Sequence, residues 1–145
     1  MKIALFQMTA GIDPAQNVDA LVQAIEAAAA AGAAMIFTPE MSGLLDSNRH
    51  RARAHICTEE EDPVLGAVRA AARKFGIWVH LGSLALQGAE RLVNRGFVID
   101  DQGAIKARYD KQHLFDVDLP TGESWRESSA YSAGQRSVIA TTPLG

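Results

Sequence analysis

The sequence predicts an α/β domain built around a mixed β-sheet. Residues 2–8 and 34–38 are apolar runs that flank a helix-forming stretch, and such a strand–helix–strand unit crosses over right-handed with its strands parallel. The run at residues 2–8 is nearly continuous, as in a sheet covered on both faces. Residues 91–100 and 104–109 also have strand character, and the tight turn Asp101-Gln102-Gly103 makes this pair antiparallel.

Composition places the chain among single-domain globular proteins. It has 145 residues, of which 48% are hydrophobic and 21% are charged, and this length is enough to bury a core. A net charge of -3 argues against a nucleic-acid partner. The most apolar stretch, residues 27–37, is interrupted by Gly32 and is too short to span a bilayer. Because Cys57 is the only cysteine and no secretory signal is recognisable, a cytoplasmic location is expected.

The two long helices are predicted to begin with the same pair of residues. Asp13-Pro14 and Asp62-Pro63 each supply an N-cap carboxylate followed by a proline at the first helical position. Apolar residues follow at helical spacing, and Gly32 and Gly76 mark the ends of the helices. Residues 77–86 are predicted to form the next strand.

Two stretches are predicted to be irregular. Residues 41–56 are polar, with a short helix expected near Glu40. Residues 110–136 form a long loop with several aromatic side chains, and loops of this length in compact domains are usually functional. Residues 137–141 are expected to begin a further strand, and residues 142–145 to turn into yet another.

The first candidate for chemistry is Glu40. Pro39 cannot donate to a sheet ladder, so the strand before Glu40 is expected to end there. Ligands in α/β domains bind beyond the carboxyl ends of strands, and a carboxylate held on such a rigid support is a candidate general base. The alternative is a loop glutamate in water.

Lys111 follows the last strand of the predicted hairpin and is a candidate for stabilising an oxyanion. Glu123 and Glu127 lie in the long loop after it. Either glutamate, placed beside Lys111 and Glu40, would complete a charge-coupled cluster. The alternative for each of these side chains is a solvated position on the surface.

A metal site and a cysteine nucleophile are both disfavoured within the chain. His50, His55 and Cys57 follow no zinc-ligand spacing. Cys57 precedes the acidic run Thr58-Glu59-Glu60-Glu61-Asp62, which disfavours a thiolate. The sequence contains no glycine-rich phosphate loop and no Gly-x-Ser-x-Gly motif.

Several segments together resemble the amino-terminal part of a carbon–nitrogen hydrolase of the nitrilase superfamily. They are KIALFQM, IFTPEMSG around Glu40, YDKQHLFDVDLP around Lys111, GESWRESSAYSAG and SVIATTPLG. The Lys111 segment with its loop is the most specific of them, and the branch it most resembles acts on omega-amides and deaminated glutathione. The resemblance implies an α-β-β-α sandwich, with residues 1–145 as the amino-terminal portion of one domain.

The resemblance also implies hydrolysis of amide carbon–nitrogen bonds by a Glu–Lys–Cys triad, with release of ammonia and without a metal or organic cofactor. Glu40 then corresponds to the general base, Lys111 to the catalytic lysine, and Glu127, rather than Glu123, to a second glutamate. The implied partners are a small-molecule amide and, for the full-length protein, further copies of the chain. The family's nucleophilic cysteine would follow Gly145, so residues 1–145 alone are expected to be inactive and to span about half the fold.

Other interpretations stay open from the sequence. One is a non-catalytic binding or interaction module that keeps Glu40 and Lys111 without a thiol. Another is a generic doubly wound ligand-binding domain unrelated to amide chemistry. The substrate is undetermined: the basic residues Arg49, Arg51 and Arg53 would suit an acidic amide, or they would form a solvated face.

Overall fold

The computed structural model describes residues 1–145 and contains one main sheet of five strands. Strands β1 (Ile3–Leu5), β2 (Met35–Phe37) and β3 (Trp78–Gln87) are parallel neighbours. Strands β4 (Leu92–Ile99) and β5 (Ile105–Asp110) continue the sheet antiparallel, in the spatial order β1–β2–β3–β4–β5. The predicted mixed α/β sheet is confirmed.

Three α-helices connect the parallel strands: α1 (Pro14–Ala30), α2 (Arg49–Arg53) and α3 (Pro63–Phe75). The side chain of Asp13 accepts a hydrogen bond from Ala15 N at 2.9 Å, and that of Asp62 accepts one from Leu65 N at 2.8 Å, so both act as N-caps. Gly76 ends α3 with a left-handed φ of 63°. None of the helices combines the length and apolar character needed to cross a membrane.

The core lies between one face of the sheet and the helices α1 and α3. Register pairing aligns one residue of each strand across this face, and all of them are packed in or against the core: Ala4, Ile36, Val79, Ile99 and Ile105. Leu21 and Ile25 of α1 and Val68 of α3 are 0% exposed against them. This face supplies the rigid support from which the loops at the strand ends project.

The opposite face of the sheet is also apolar. Leu5, Phe37, His80 and Val98 lie in register across it, and the rings of Phe37 and His80 are 5.4 Å apart. Leu5 is 79% exposed. The prediction that the first strand is covered on both faces is therefore wrong for residues 1–145, and this strand is shorter than the predicted 2–8.

The segment after β5 differs from the predicted loop. Strands β6 (Asp116–Asp118) and β7 (Ser124–Arg126) form a separate two-stranded antiparallel sheet, followed by a 3-10 helix, Glu127–Ser129. Arg126 Nη2 lies 2.7 and 2.8 Å from the two carboxylate oxygens of Asp118, and this ion pair stabilises the hairpin. The predicted strand at residues 137–141 is wrong: no strand pairs with this stretch.

Candidate active site

The loop that follows β2 holds Glu40 in a fixed position at the end of the sheet. Met41 adopts a left-handed φ of 54°, which is uncommon for a residue with a side chain. Its backbone N–H donates to Ser83 Oγ at 2.9 Å, and the N–H of Ser42 donates to the Ser83 carbonyl at 3.0 Å. Because Ser83 belongs to β3, the turn after Glu40 is tied directly to the centre of the sheet.

Two glycines allow three backbones to pack together beneath this loop. A Cβ atom on Gly82 would lie 2.4 Å from the carbonyl oxygens of Thr38 and Pro39. A Cβ on Gly96 of β4 would in turn lie 2.6 Å from the Gly82 carbonyl oxygen. The β3–β4 register shifts between Leu81 and Leu84, next to this contact. The position of Glu40 therefore depends on glycine at positions 82 and 96.

Lys111 joins Glu40 and Glu127 into one cluster. Lys111 follows β5, and its backbone N–H donates to the carbonyl of Asn94 at 2.9 Å. Its Nζ lies 2.8 Å from Glu40 Oε1 and 2.9 Å from Glu127 Oε2. Glu127 begins the 3-10 helix, and the same Oε2 accepts a hydrogen bond from Phe115 N at 2.6 Å.

The two glutamates occupy different environments. The Glu127 side chain is 14% exposed, and both of its carboxylate oxygens accept hydrogen bonds. The Glu40 side chain is 56% exposed, and only its Oε1 is engaged, by Lys111 and Asn94. Glu40 Oε2 is therefore the carboxylate oxygen of the cluster that is free to accept a proton.

Hydrogen bonds keep the half-buried Glu127 and Lys111 ionised. Burial alone would raise the pKa of Glu127, but hydrogen bonds from Phe115 N, Lys111 and Asn94 outweigh it and lower the pKa. Burial alone would likewise lower the pKa of Lys111, and the hydrogen bonds to Glu40 and Glu127 reverse this and raise it. At neutral pH the site therefore contains the Lys111 ammonium group beside the Glu127 carboxylate.

The cluster forms one wall of an open cavity of ≈ 450 Å³. The remaining walls are mostly apolar and aromatic, with two arginines, and consist of Met41, Leu45, Arg49, Phe115, Trp125, Arg126 and Tyr131. Burial and the charge of Glu127 raise the pKa of Tyr131, so its phenol is protonated at neutral pH. A chamber with an apolar lining and few convergent polar groups is typical of a small-molecule site.

The structure brings three of the sequence-predicted residues together and leaves the others outside. Glu40, Lys111 and Glu127 meet, whereas Glu123 is exposed in the hairpin and does not line the cavity. Cys57 also lies outside the cavity, in the loop after α2, where its carbonyl accepts a hydrogen bond from Gln87 N at 2.8 Å. The catalytic roles of Glu40, Lys111 and Glu127 stay predictions.

Sequence reasoning missed two residues that shape the site, Asn94 and Ser83. Asn94 is 3% exposed, and its side-chain amide contacts both Glu40 and Glu127. A signal was present, because asparagine is disfavoured inside a strand and Asn94 lies between Val93 and Arg95 of β4. Ser83 carries no such signal, since serine is common at bulges and turns.

The fold and this cluster define an α/β domain with a carboxylate–ammonium site at the end of its strands. A family model described as carbon-nitrogen hydrolase matches residues 2–145. The chain therefore belongs to the carbon–nitrogen hydrolases, as its resemblance to the nitrilase superfamily implied. The interpretation as a generic domain unrelated to amide chemistry is wrong.

Two of the similar proteins are named as amidases. The chain is 33% identical to the deaminated glutathione amidase of Yersinia enterocolitica, over 99% of this chain and 51% of that protein. It is 30% identical to the chloroplastic omega-amidase of Arabidopsis thaliana, over 99% of this chain and 40% of that protein. Residues 1–145 thus span about half the length of the first relative and less of the second.

A solved structure shares the fold. It is a variant of the amidase from Nesterenkonia sp. AN1, and it shows the Michael addition of acrylamide at that enzyme's active site cysteine. The two structures superpose with a TM-score of 0.76 at 29% identity, covering 94% of this chain and 50% of the other. The nitrilase-type α/β fold is confirmed by this comparison.

Proposed function

We propose that this chain contributes the acid–base and oxyanion-stabilising groups for hydrolysis of a small-molecule amide, with release of ammonia. The observation that carries the proposal is the position of Lys111 Nζ, 2.8 Å from Glu40 and 2.9 Å from Glu127. A positioned ammonium group beside an unengaged carboxylate oxygen can supply both the general base and the oxyanion donor that acyl transfer by a thiol uses.

Glu40 is the proposed general base. Its free Oε2 takes the proton of a thiol as the sulfur attacks the amide carbonyl carbon, and the carbon–oxygen double bond opens to a tetrahedral oxyanion. When the carbonyl re-forms and the carbon–nitrogen bond breaks, the same carboxyl group returns the proton to the leaving nitrogen, which departs as ammonia. Water then attacks the thioester carbonyl carbon while Glu40 takes one of its protons. The carbon–sulfur bond breaks, Glu40 returns that proton to the sulfur, and the acid product and the free thiol are released.

Lys111 is the proposed oxyanion donor. An ammonium group has three N–H donors, and Glu40 and Glu127 accept two of them. The third donor is left for the substrate oxygen, where charge develops in the transition state. Glu127, with both oxygens engaged, has the proposed role of holding Lys111 in place rather than transferring protons.

The thiol is proposed to come from outside residues 1–145. Cys57 is the only cysteine of the chain and lies outside the cavity. The amidase from Nesterenkonia sp. AN1 has an active site cysteine, and the resemblance described above places the family's nucleophile after residue 145. On this proposal residues 1–145 form the amino-terminal portion of one hydrolase domain.

The test is ammonia release from an amide substrate. A longer protein that carries residues 1–145 and the proposed thiol is expected to release ammonia, and Glu40→Gln is expected to abolish the release because glutamine cannot take the thiol proton. Residues 1–145 alone are expected to release no more ammonia than their own Glu40→Gln variant. Hydrolysis by the wild-type 145-residue chain above this control would refute the assignment of the nucleophile.

Arg49 supports an amide that also carries a carboxylate as the substrate. Its guanidinium group lines the cavity, is held by Ser129 Oγ and by the Arg126 carbonyl at 2.5 and 2.7 Å, and contacts no carboxylate of the protein. Arg51, in contrast, pairs with Asp46 at 2.6 Å and does not line the cavity. The names of the relatives, deaminated glutathione amidase and omega-amidase, fit this substrate class.

The matched variants Arg49→Ala and Arg51→Ala separate recognition from surface charge. In the hydrolysing protein, Arg49→Ala is expected to raise KM for a carboxylate-bearing amide about tenfold or more, as for loss of one charge-assisted hydrogen bond. Its KM for a neutral amide should change little, and Arg51→Ala should leave both values near wild type. An unchanged KM in Arg49→Ala would refute this role.

A non-catalytic binding module is the second candidate, in which Glu40 and Lys111 line the cavity without a thiol. It predicts that the natural protein binds a carboxylate-bearing amide without releasing ammonia, which isothermal titration calorimetry beside the ammonia assay would show.

Assembly with further copies of the chain is proposed from the family resemblance, and sedimentation of the full-length protein tests it. A cytoplasmic location is proposed from the single cysteine, and cell fractionation tests it.

A further inference from the structure

We infer that Asn94 is a positioning residue that fixes the two glutamates on either side of Lys111. Asn94 lies in β4 and is 3% exposed. Its Nδ2 lies 2.7 Å from Glu40 Oε1 and 3.3 Å from Glu127 Oε1. One side-chain amide therefore connects carboxylates that come from segments 87 residues apart in the sequence (127 − 40).

The orientation of the Asn94 amide follows from its neighbours. An amide group has two N–H donors on nitrogen and an acceptor oxygen, and both nearby carboxylates are acceptors. If the amide were turned over, Oδ1 would face two negative charges. In the observed orientation both donors are used, and the buried Oδ1 has no hydrogen-bond partner.

An unpaired buried acceptor is unfavourable for folding. A residue selected only for packing in β4 would be apolar, like Leu92, which lies two residues before Asn94 on the same face of the strand and is 7% exposed. The unpaired Oδ1 of Asn94 lowers the free energy of unfolding, whereas its amide nitrogen donates hydrogen bonds to Glu40 and Glu127. Positions that break a local rule in this way are typical of functional sites.

Asn94 also fixes which oxygen of Glu40 is free. Lys111 Nζ and Asn94 Nδ2 both bind Glu40 Oε1, so the carboxylate cannot rotate without losing two hydrogen bonds, and Oε2 stays directed away from them. The Asn94 carbonyl accepts from Lys111 N at 2.9 Å. One residue thus holds all three members of the cluster, two through its side chain and one through its backbone.

The inference rests on the proposed function for its meaning, but its test does not require turnover. In the 145-residue chain, the carboxyl carbon of Glu127 is titrated by nuclear magnetic resonance in wild type and in Asn94→Leu, which has a similar volume and no donors. The Glu127 midpoint is expected to rise by about one pH unit in Asn94→Leu, as for loss of a hydrogen bond to a charged group. An unchanged midpoint would refute the inference.

Asn17 provides a matched control. It is also a buried asparagine, 4% exposed, but it bonds only to the backbone of Gly11 and Gly43. Asn17→Ala is expected to lower the midpoint of urea unfolding and to leave the titration of Glu127 unchanged. If Asn17→Ala shifts Glu127 as much as Asn94→Leu does, the effect is a general loss of packing and the inference fails.

A second measurement applies if Asn94→Leu does not fold. In the wild-type background, Glu40→Gln and Glu127→Gln each replace one charged acceptor of the Asn94 amide by a neutral one. Each variant is expected to shift a different one of the two Nδ2 proton resonances, and Asn94 assignments that move in neither variant would overturn the inference. A protein that hydrolyses no amide would fail the proposed function without affecting either spectroscopic result.

Discussion

The contact between Gly82 and the Glu40 loop gives a prediction whose size follows from the structure. An alanine at position 82 would place its Cβ 2.4 Å from the carbonyl oxygens of Thr38 and Pro39, whereas ordinary contact begins at 3.4 Å. The loop must therefore move by about 1 Å (3.4 − 2.4). Both obstructing atoms are backbone, so no side-chain rotation can relieve the clash. We expect Gly82→Ala to lower the free energy of unfolding by about 1–3 kcal/mol, as for other overpacked interiors.

The assay is urea unfolding of the 145-residue chain, with Gly66→Ala as the matched control. Gly66 lies within α3, and a Cβ there would meet nothing within 4 Å. Gly66→Ala should therefore raise the free energy of unfolding by about 0.5–1 kcal/mol, because alanine favours the helix more than glycine does. The two glycine-to-alanine changes are thus expected to have opposite signs.

The same displacement has a functional consequence. Misplacing a catalytic group by 1 Å lowers turnover by roughly 10²-fold, so Gly82→Ala in a hydrolysing protein should lose activity beyond its loss of stability, whereas Gly66→Ala should keep full activity. Wild-type stability in Gly82→Ala would refute the packing argument. Wild-type turnover in Gly82→Ala would refute the link between this contact and the position of Glu40.

Two further predictions concern stability and association. Burial raises the pKa of Asp62 above its ordinary value of 3.8 despite its backbone hydrogen bonds, so the charged carboxylate destabilises the fold at neutral pH, and this cost is absent below pH 3.8. Asp62→Asn keeps an equally good N-cap and should raise the unfolding midpoint at pH 7 but not at pH 3. A lower midpoint at pH 7 would contradict this. Ile3 and Leu5 of β1 are 46% and 79% exposed on the face of the sheet opposite the core, so residues 1–145 are expected to self-associate through that face. Sedimentation should show a smaller mass for Leu5→Lys than for the wild-type chain, whereas a monodisperse wild-type monomer with a cooperative thermal transition would contradict the prediction.

The elements that the sequence predicts well are those with local signals. Asp13-Pro14 and Asp62-Pro63 cap helices because the carboxylate and the fixed proline φ act within one turn. Gly76 and Gly103 adopt the left-handed φ values of 63° and 77° that their positions required. Pro39 marks the end of the strand before Glu40 and makes this glutamate a candidate, but the local segment fits a solvated loop glutamate equally well, and only the rest of the chain favours a functional role.

The elements that the sequence does not predict depend on distant contacts. The hairpin at residues 116–126 forms through the Asp118–Arg126 pair and the support of Arg49, which donates to the Arg126 carbonyl from 77 residues away. Residues 137–141 have strand propensity but no neighbouring strand in residues 1–145 to complete a ladder. Asn94 carries a signal as a polar residue inside a strand, but its partners are not predictable because Glu40 and Glu127 meet only in the folded chain.

The residues of the site belong to two sheets that are expected to differ in local stability. Glu40 and Lys111 are attached to a five-stranded sheet, whereas Glu127 follows a two-stranded one, and a lone hairpin is marginally stable in water. Local opening of this hairpin would withdraw Glu127 and the Trp125 wall of the cavity while the sheet stays intact. In a longer protein that hydrolyses an amide, inactivation by mild heat or denaturant should therefore precede the spectroscopic unfolding transition. In residues 1–145, the amide protons of β7 should exchange with solvent well before those of β3.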